Sequence, residues 1–161
     1  MTVINLANFI KATTQGGTQW SYQNASTSNF TVSGQSDTEF NGTYNYASFI
    51  YQGAAKNKTG DNFEAGLVMT TNPVSMDIIT QGVREGWNVE VWTVVLNAAR
   101  TEIRKVLTHE TWIMASMSYD TSTIEVVLSS AVDAVGAIVP WFVLEQKNVG
   151  YLPLTGQISA R

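Results

Sequence analysis

The sequence predicts a mainly β protein: an antiparallel β-sandwich or barrel with one or two short α-helices and an extended C-terminal arm. Three observations carry that prediction. Apolar and polar residues alternate through one segment after another, which is the period of a half-buried strand. Those segments are rich in β-branched and aromatic residues. Clusters of Gly, Asn, Ser, Thr and Pro separate them at short intervals, as hairpins and strand corners require. At 161 residues the chain is long enough for one core. The expected division is a β domain over 1–140 and an arm over 141–161.

At the N-terminus, Val3, Leu6, Ala7 and Ile10 fall at helical spacing, so Val3 to Ala12 reads as a short amphipathic helix stopped by "TTQGG". In "TQWSYQNASTSNFTVSG", Trp20 and Tyr22, then Phe30 and Val32, alternate with polar residues. This predicts a hairpin or strand pair with an Asn/Ser-rich tip. "GTYNYASFIYQ" continues the alternation, with Tyr44, Tyr46, Ser48 and Ile50 on one face and Phe49 and Tyr51 on the other. In "NFEAGLVMTT", Phe63, Ala65, Leu67 and Met69 are in phase. After Pro73, "VSMDIITQGV" has room for a helical turn or two before Gly82 and Gly86.

"WNVEVWTVVL" is the clearest strand, apolar on both sides towards its end and therefore expected at the centre of the sheet. "TEIRKVLTHETWIMASMSYD" supplies one or two more strands. "YDTST" is a polar turn, and "TSTIEVVLSS" closes the series with Ile124, Val126 and Leu128 on one face. Asp133 and Pro140 then read as a structural corner, the Asp side chain satisfying backbone N–H groups. Beyond Pro140 the pattern becomes irregular but stays apolar, through Trp141, Phe142, Tyr151, Leu152 and Leu154. A segment of that composition is expected to dock on its own domain or on a neighbour, which makes these five residues the candidate assembly interface.

Composition excludes several functions. Charged residues are only 14% of the chain, and the net charge is −4 with no basic window. Specific nucleic-acid binding requires a basic footprint and is not expected, nor is binding to an anionic membrane. No apolar run has the length of a membrane span, and the N-terminus lacks the pattern of a signal peptide. The protein is expected to be made in a cytoplasm. There is no Cys, so disulfides, thiolate metal sites and Cys nucleophiles are ruled out. A surface short of ions and rich in neutral polar groups desolvates readily against a partner.

Catalytic chemistry finds little support. His109, the one histidine, has neither a "GxSxG" elbow nor a second His at zinc-ligand spacing, and reads as a surface or core residue. The nearest carboxylate pairs in sequence, Asp37 with Glu39 and Glu85 with Glu90, fall in or beside turns where acids are solvated. Neither "QGG" nor "TGQ" has the context of a phosphate loop. Asn24, Asn29, Asn41 and Asn57 form Asn-x-Ser/Thr triplets, as an Asn/Ser/Thr-rich chain produces without further purpose. No catalytic, metal or cofactor site is expected.

Four segments in order, "GTYNYASF", "FEAGLVMTTNPVSMDI", "REGWNVEVWTVVLN" and "YDTSTIEVVLSSAVDAVGAIVP", resemble the N-terminal domain of phage tail-tip proteins. The group is the minor tail protein L-like, or tail-hub, family of long-tailed phages. Gly42 and Tyr44, Gly86 to Trp92, and Leu128 through Asp133 to Pro140 carry the likeness, which extends from about Trp20 to Pro140. The distal tail protein is a close second. The resemblance implies a non-enzymatic virion component: a trimeric (hub-type) or hexameric (distal-tail-type) ring around the tail axis, contacting tube, distal tail or hub, and tip fibre proteins. Some relatives continue into a Cys-bearing iron–sulfur domain, and with no Cys here that cofactor is not carried over. Two alternatives stand beside this reading. One is a carbohydrate-binding module presenting exposed Tyr and Trp to a host surface, and the other a hydrolase using acids such as Asp133 and Glu90.

Overall fold

A computed structural model of the chain describes residues 4–53 and 64–130. Asp133, Pro140, Trp141, Phe142, Tyr151, Leu152 and Leu154, and the division at residue 140, lie outside the described residues. The described chain is mainly β, as expected, with one α-helix. Its strands are β1 (Asn5–Thr13), β2 (Gln19–Gln23), β3 (Phe30–Val32), β4 (Gly42–Tyr46), β5 (Phe49–Gln52), β6 (Glu64–Thr70), β7 (Asn88–Leu96), β8 (Ile103–Tyr119) and β9 (Thr123–Ser129). The helix, α1 (Pro73–Glu85), lies between β6 and β7, and a short 3-10 turn covers Thr38–Phe40.

The strands make one nine-stranded sheet in the order β3-β4-β2-β1-β7-β8-β9-β6-β5. Every pairing is antiparallel except β2 with β4, so the sheet is mixed. β4 and β5 are separated in sequence only by Ala47 and Ser48, yet they sit near opposite ends of that order. The sheet must therefore curl until its edges meet at this segment. Ala47 N–H donates to Gln23 O of β2 (3.0 Å) and Thr70 N–H donates to Ser48 O (3.4 Å), which joins the two edges. The nine strands thus bend towards a barrel, which shortens the exposed edge that an open sheet would present.

The strongest correction concerns residues 3–12, expected as a helix. Residues 5–13 are β1, paired along its whole length between β2 and β7. Both of its faces are covered: Ala7 and Phe9 enter one apolar cluster, Ile10 and Ala12 the other. A strand buried on two sides loses simple alternation, and its apolar residues then fall at spacings that imitate a helix. Residues 19–32 are also not a hairpin, because β4 lies between β2 and β3. The alternating run 42–52 is broken into β4 and β5 where the chain crosses between the two edges.

β7 holds the central position its pattern predicts. Val89 and Val91 point into the first cluster, inside the curl, with Leu67, Trp112, Met114, Ile124, Val126 and Leu128. Trp92, Val94 and Leu96 point outward into the second. There the β3–β4 unit and the 3-10 turn fold back over the sheet, and Phe9 meets Phe30, Phe40 and Tyr44 edge-on at centroid distances of 5.1, 5.4 and 5.0 Å. This gives the molecule its second layer.

α1 is longer than the turn or two expected. Asn72 Oδ1 accepts from Ser75 N–H (2.8 Å) and Ser75 Oγ accepts from Asn72 N–H (3.0 Å), a complete capping box with Pro73 at the first helical position. The helix passes through Gly82 and ends at Gly86, which adopts φ 63° at the C-cap. Gly82 stays helical because packing needs it small. A Cβ there would lie 2.4 Å from Met114 Sδ and 3.1 Å from Trp87 Cε3.

Candidate functional site

Two features on the described residues are concentrated enough to be sites. The first is an apolar cleft of about 430 Å³ between α1 and the inner face of the sheet. Ile10 and Ala12 of β1, Leu67 and Met69 of β6 and Met114 of β8 line it from the sheet, and Ile78 and Ile79 from α1. The β4–β5 crossing supplies Tyr46 through Phe49. The geometry follows from the fold: α1 spans from the end of β6 to the start of β7, and the edge-joining segment forms the facing wall.

Among the described residues, no Asp, Glu, His, Lys or Arg lines this cleft. Two of its polar side chains, Asn72 and Ser75, are engaged with each other. Asn72 and Ser75 cap the helix, and Ser75 Oγ also donates towards Thr70 O (3.0 Å). Burial raises the pKa of Tyr22 on its wall, which keeps the phenol protonated. The cleft opens onto large apolar side chains that remain exposed, Trp20, Tyr46 and Val74, the last at 66%. What such a surface can do is bury apolar groups.

The second feature is a polar cluster on the outer face, around the histidine that the sequence set aside. His109 on β8 is opposite Trp92 on β7, and their rings stack at 4.6 Å. Phe40 stacks on the other side of Trp92 at 4.8 Å. His109 Nδ1 lies 3.2 Å from Asp37 Oδ2 and Nε2 lies 3.7 Å from Glu90 Oε2. Trp92 Nε1–H donates to Asp37 Oδ2 (2.8 Å), and Glu39 N–H donates to Asp37 Oδ1 (3.2 Å). Lys11, almost wholly buried, donates to the Glu39 carbonyl and lies 5.8 Å from the centre of the Trp92 ring.

Asp37 and Glu90 flank His109, and Glu39 is close enough to raise the pKa of Glu90, so the carboxylates meet across elements and not as the sequence pair Glu85/Glu90. Glu90 is inside β7 rather than in a turn, and burial raises its pKa despite the opposing pull of His109. Glu85 accepts from Trp87 Nε1–H (2.7 Å) and from Gln81 (2.9 Å) at the end of α1. The nearby Tyr44 hydroxyl donates to Phe40 O (2.9 Å), and its pKa is driven far up by burial and by Glu90 and Asp37. It is a structural donor rather than a nucleophile. Taken together, these contacts fasten the 3-10 turn to the sheet over the second apolar cluster. Among the described residues, no group of three or more His, Asp or Glu is placed to hold a metal ion.

Two of the Asn-x-Ser/Thr asparagines are engaged within the fold. Asn24 Oδ1 accepts from Asn8 N–H (2.8 Å), and Asn41 Oδ1 accepts from Gln35 N–H (3.1 Å). The cleft was not foreseen, because its wall is assembled from residues between positions 10 and 114. No protein-family model matches the chain, and no curated protein matches it.

Proposed function

We propose that this chain is a non-enzymatic structural subunit of a phage tail tip, forming a ring around the tail axis that links the tail tube to the tip. The likeness of its strand segments to the hub and distal-tail proteins supplies the tail-tip assignment. The observation that carries the assembly half is the cleft. It is apolar, has no Asp, Glu, His, Lys or Arg among the described residues that line it, and is continuous with exposed Trp20, Tyr46 and Val74. A subunit interface needs such a surface, since few charges must be stripped of water when it is covered. A hydrolase needs the opposite, a concavity with convergent acids or bases. Among the described residues, Asp37 of the acidic cluster around His109 is engaged in fastening the outer layer.

The experiment is the mass of the purified protein in solution across concentration. Particles of three or six times 17.6 kDa agree with a ring of hub or distal-tail type. A monomer at every concentration, with no density for the chain in any tail, sinks the reading.

Trp20 and Tyr46 beside the cleft favour one second reading, a carbohydrate-binding surface in which aromatic faces stack on sugar rings. Titration with cell-wall glycans separates it from the first. Saturable quenching of Trp fluorescence, lost in Trp20→Ala, favours glycan binding.

A further inference from the structure

We propose that Asp37, His109 and Glu90 form a proton-operated latch: it holds the 3-10 turn against the sheet while His109 and Glu90 share an extra proton, and loosens when that proton leaves. The latch is on the outer face and does not depend on the assembly reading. The position of the imidazole sets the need for a proton. One carboxylate faces each ring nitrogen, Asp37 Oδ2 at 3.2 Å from Nδ1 and Glu90 Oε2 at 3.7 Å from Nε2. A neutral imidazole carries one N–H and one lone pair. Whichever nitrogen holds the hydrogen, the lone pair of the other then faces a carboxylate oxygen. Both contacts are attractive only when a further proton is present, on the ring or on Glu90. Glu90 Oε2 is buried and receives no hydrogen bond from the described residues, so it gains most from that proton.

The surrounding charges favour holding it. Lys11, opposite Glu90 in the register of β1 and β7, supplies a fixed positive charge. Three carboxylates, Asp37, Glu39 and Glu90, outnumber it, and a protonated His109 reduces the imbalance. Tyr44 of β4 stays protonated, and Glu110, the next acid along β8, is on the inner face where Tyr51 donates to it. Burial raises the pKa of Glu90, and a group of that kind gives stability that is full below its unfolded pKa and is lost as pH rises through the folded one. Imidazoles lose their proton between about pH 5 and 8, which removes the counter-charge in the same direction. The latch therefore holds on the acid side of that range and loosens on the alkaline side.

What the latch controls is the aromatic stack beneath it. Trp92 is sandwiched between His109 and Phe40, and its Nε1–H donates to Asp37 Oδ2 (2.8 Å). Trp92 and Phe40 are both wholly buried. A cation over an indole face is attracted by it, so the protonated ring also stacks more firmly. Loss of the proton turns the His109–Asp37 ion pair into at most a hydrogen bond from a neutral ring, which is weaker. Lifting of the turn then uncovers Phe40 and Trp92 at the edge of the second apolar cluster.

The test uses tag-free full-length protein, in which His109 is the only histidine, so a single imidazole signal in NMR follows the titration. Amide exchange with water reads the latch at Glu39, Phe40 and Asn41, whose N–H groups donate to Asp37 Oδ1, Asp37 O and Thr38 O. Exchange is expressed as protection factors in a series from about pH 5.5 to about pH 8.5, across the imidazole range. In wild type the protection of these three amides should fall by about two- to fivefold as pH rises, the ratio that a partly exposed ion pair commands. The fall should share the midpoint of the His109 signal and of the Trp92 indole N–H shift, with the amides of β7 and β8 unchanged. In His109→Gln the pH dependence should vanish. Glu90→Gln removes the buried charge, keeps the shape and lets an amide N–H donate to the neutral ring, so protection should stay high throughout. Equal protection across the series in wild type overturns the latch. A fall that persists in His109→Gln or Glu90→Gln overturns it as well, because another group then titrates. So does a fall spread evenly over the sheet, which is general destabilisation. If His109→Gln does not fold, Glu90→Gln and the wild-type series decide the matter.

Discussion

Gly82→Ala sets two effects of known size against each other. In an exposed helix, Ala is favoured over Gly by about 1 kcal/mol. Here the new Cβ would lie 2.4 Å from Met114 Sδ and 3.1 Å from Trp87 Cε3, against roughly 4 Å for ordinary contact. Trp87, 1% exposed, is held by its packing, and Met114, 3% exposed, must swing its thioether into the cleft it lines to make room. Overpacking of this kind costs about 1–3 kcal/mol. The clash outweighs the propensity gain, for a net loss of about 1 kcal/mol and a melting temperature lower by about 2–4 °C for a domain of this size. Thermal melts followed by circular dichroism measure it. Repeating the substitution in a Met114→Val background isolates the cause, because with the sulfur gone Gly82→Ala should become neutral or stabilising. A higher melting temperature for the single variant, or the same shift in both backgrounds, would refute the close approach of α1 to β8. The cleft geometry would fall with it, since α1 forms one wall.

Three further outcomes follow from individual contacts. Asn72→Ala removes the N-cap of α1 and should cost about 0.5–2 kcal/mol in denaturant unfolding, and an unchanged midpoint contradicts the capping box. Tyr51→Phe strips the hydroxyl that donates to Glu110 Oε2 (2.5 Å) and accepts from Trp112 Nε1–H (2.9 Å), at a cost of about 1–3 kcal/mol by the same assay. Asp120, in the β8–β9 turn, accepts from the backbone N–H groups of Ser122 and Thr123, both at 2.7 Å, which lowers its pKa from 3.8 to about 2. A lowered folded-state pKa contributes stability that is present above pH 3.8 and lost as pH falls towards 2. The stability gap between wild type and Asp120→Asn should therefore narrow across that window in acid melts, and a gap independent of pH contradicts the turn.

How far the sequence was legible depends on how local each determinant is. β7 and β9 were readable because alternation and flanking turns lie within the strands themselves, and Val89, Val91, Ile124, Val126 and Leu128 are all buried where that alternation places them. β1 was misread because Ala7, Phe9, Ile10 and Ala12 are buried on two faces by elements far away in the chain. The split of 42–52 depends on where the two edges of the sheet meet, which no pattern within "YNYASFIY" encodes. The length of α1 was underestimated because Gly82 reads as a breaker until Met114 is seen against it. The sites were the least legible. Asp37, Glu90 and His109 meet through the β7–β8 register and the folding back of the 3-10 turn, and β8 carries register shifts that sequence spacing does not announce.

The central claim is assembly at a tail tip, and imaging tail ends of virions that carry this chain tests it most directly. Cryo-electron microscopy should show the curled β-sheet with α1 packed on it repeated three or six times in an axial ring between tube and tip. A complete reconstruction of the tail end, with every density assigned to other proteins and none fitting this fold, would contradict the account.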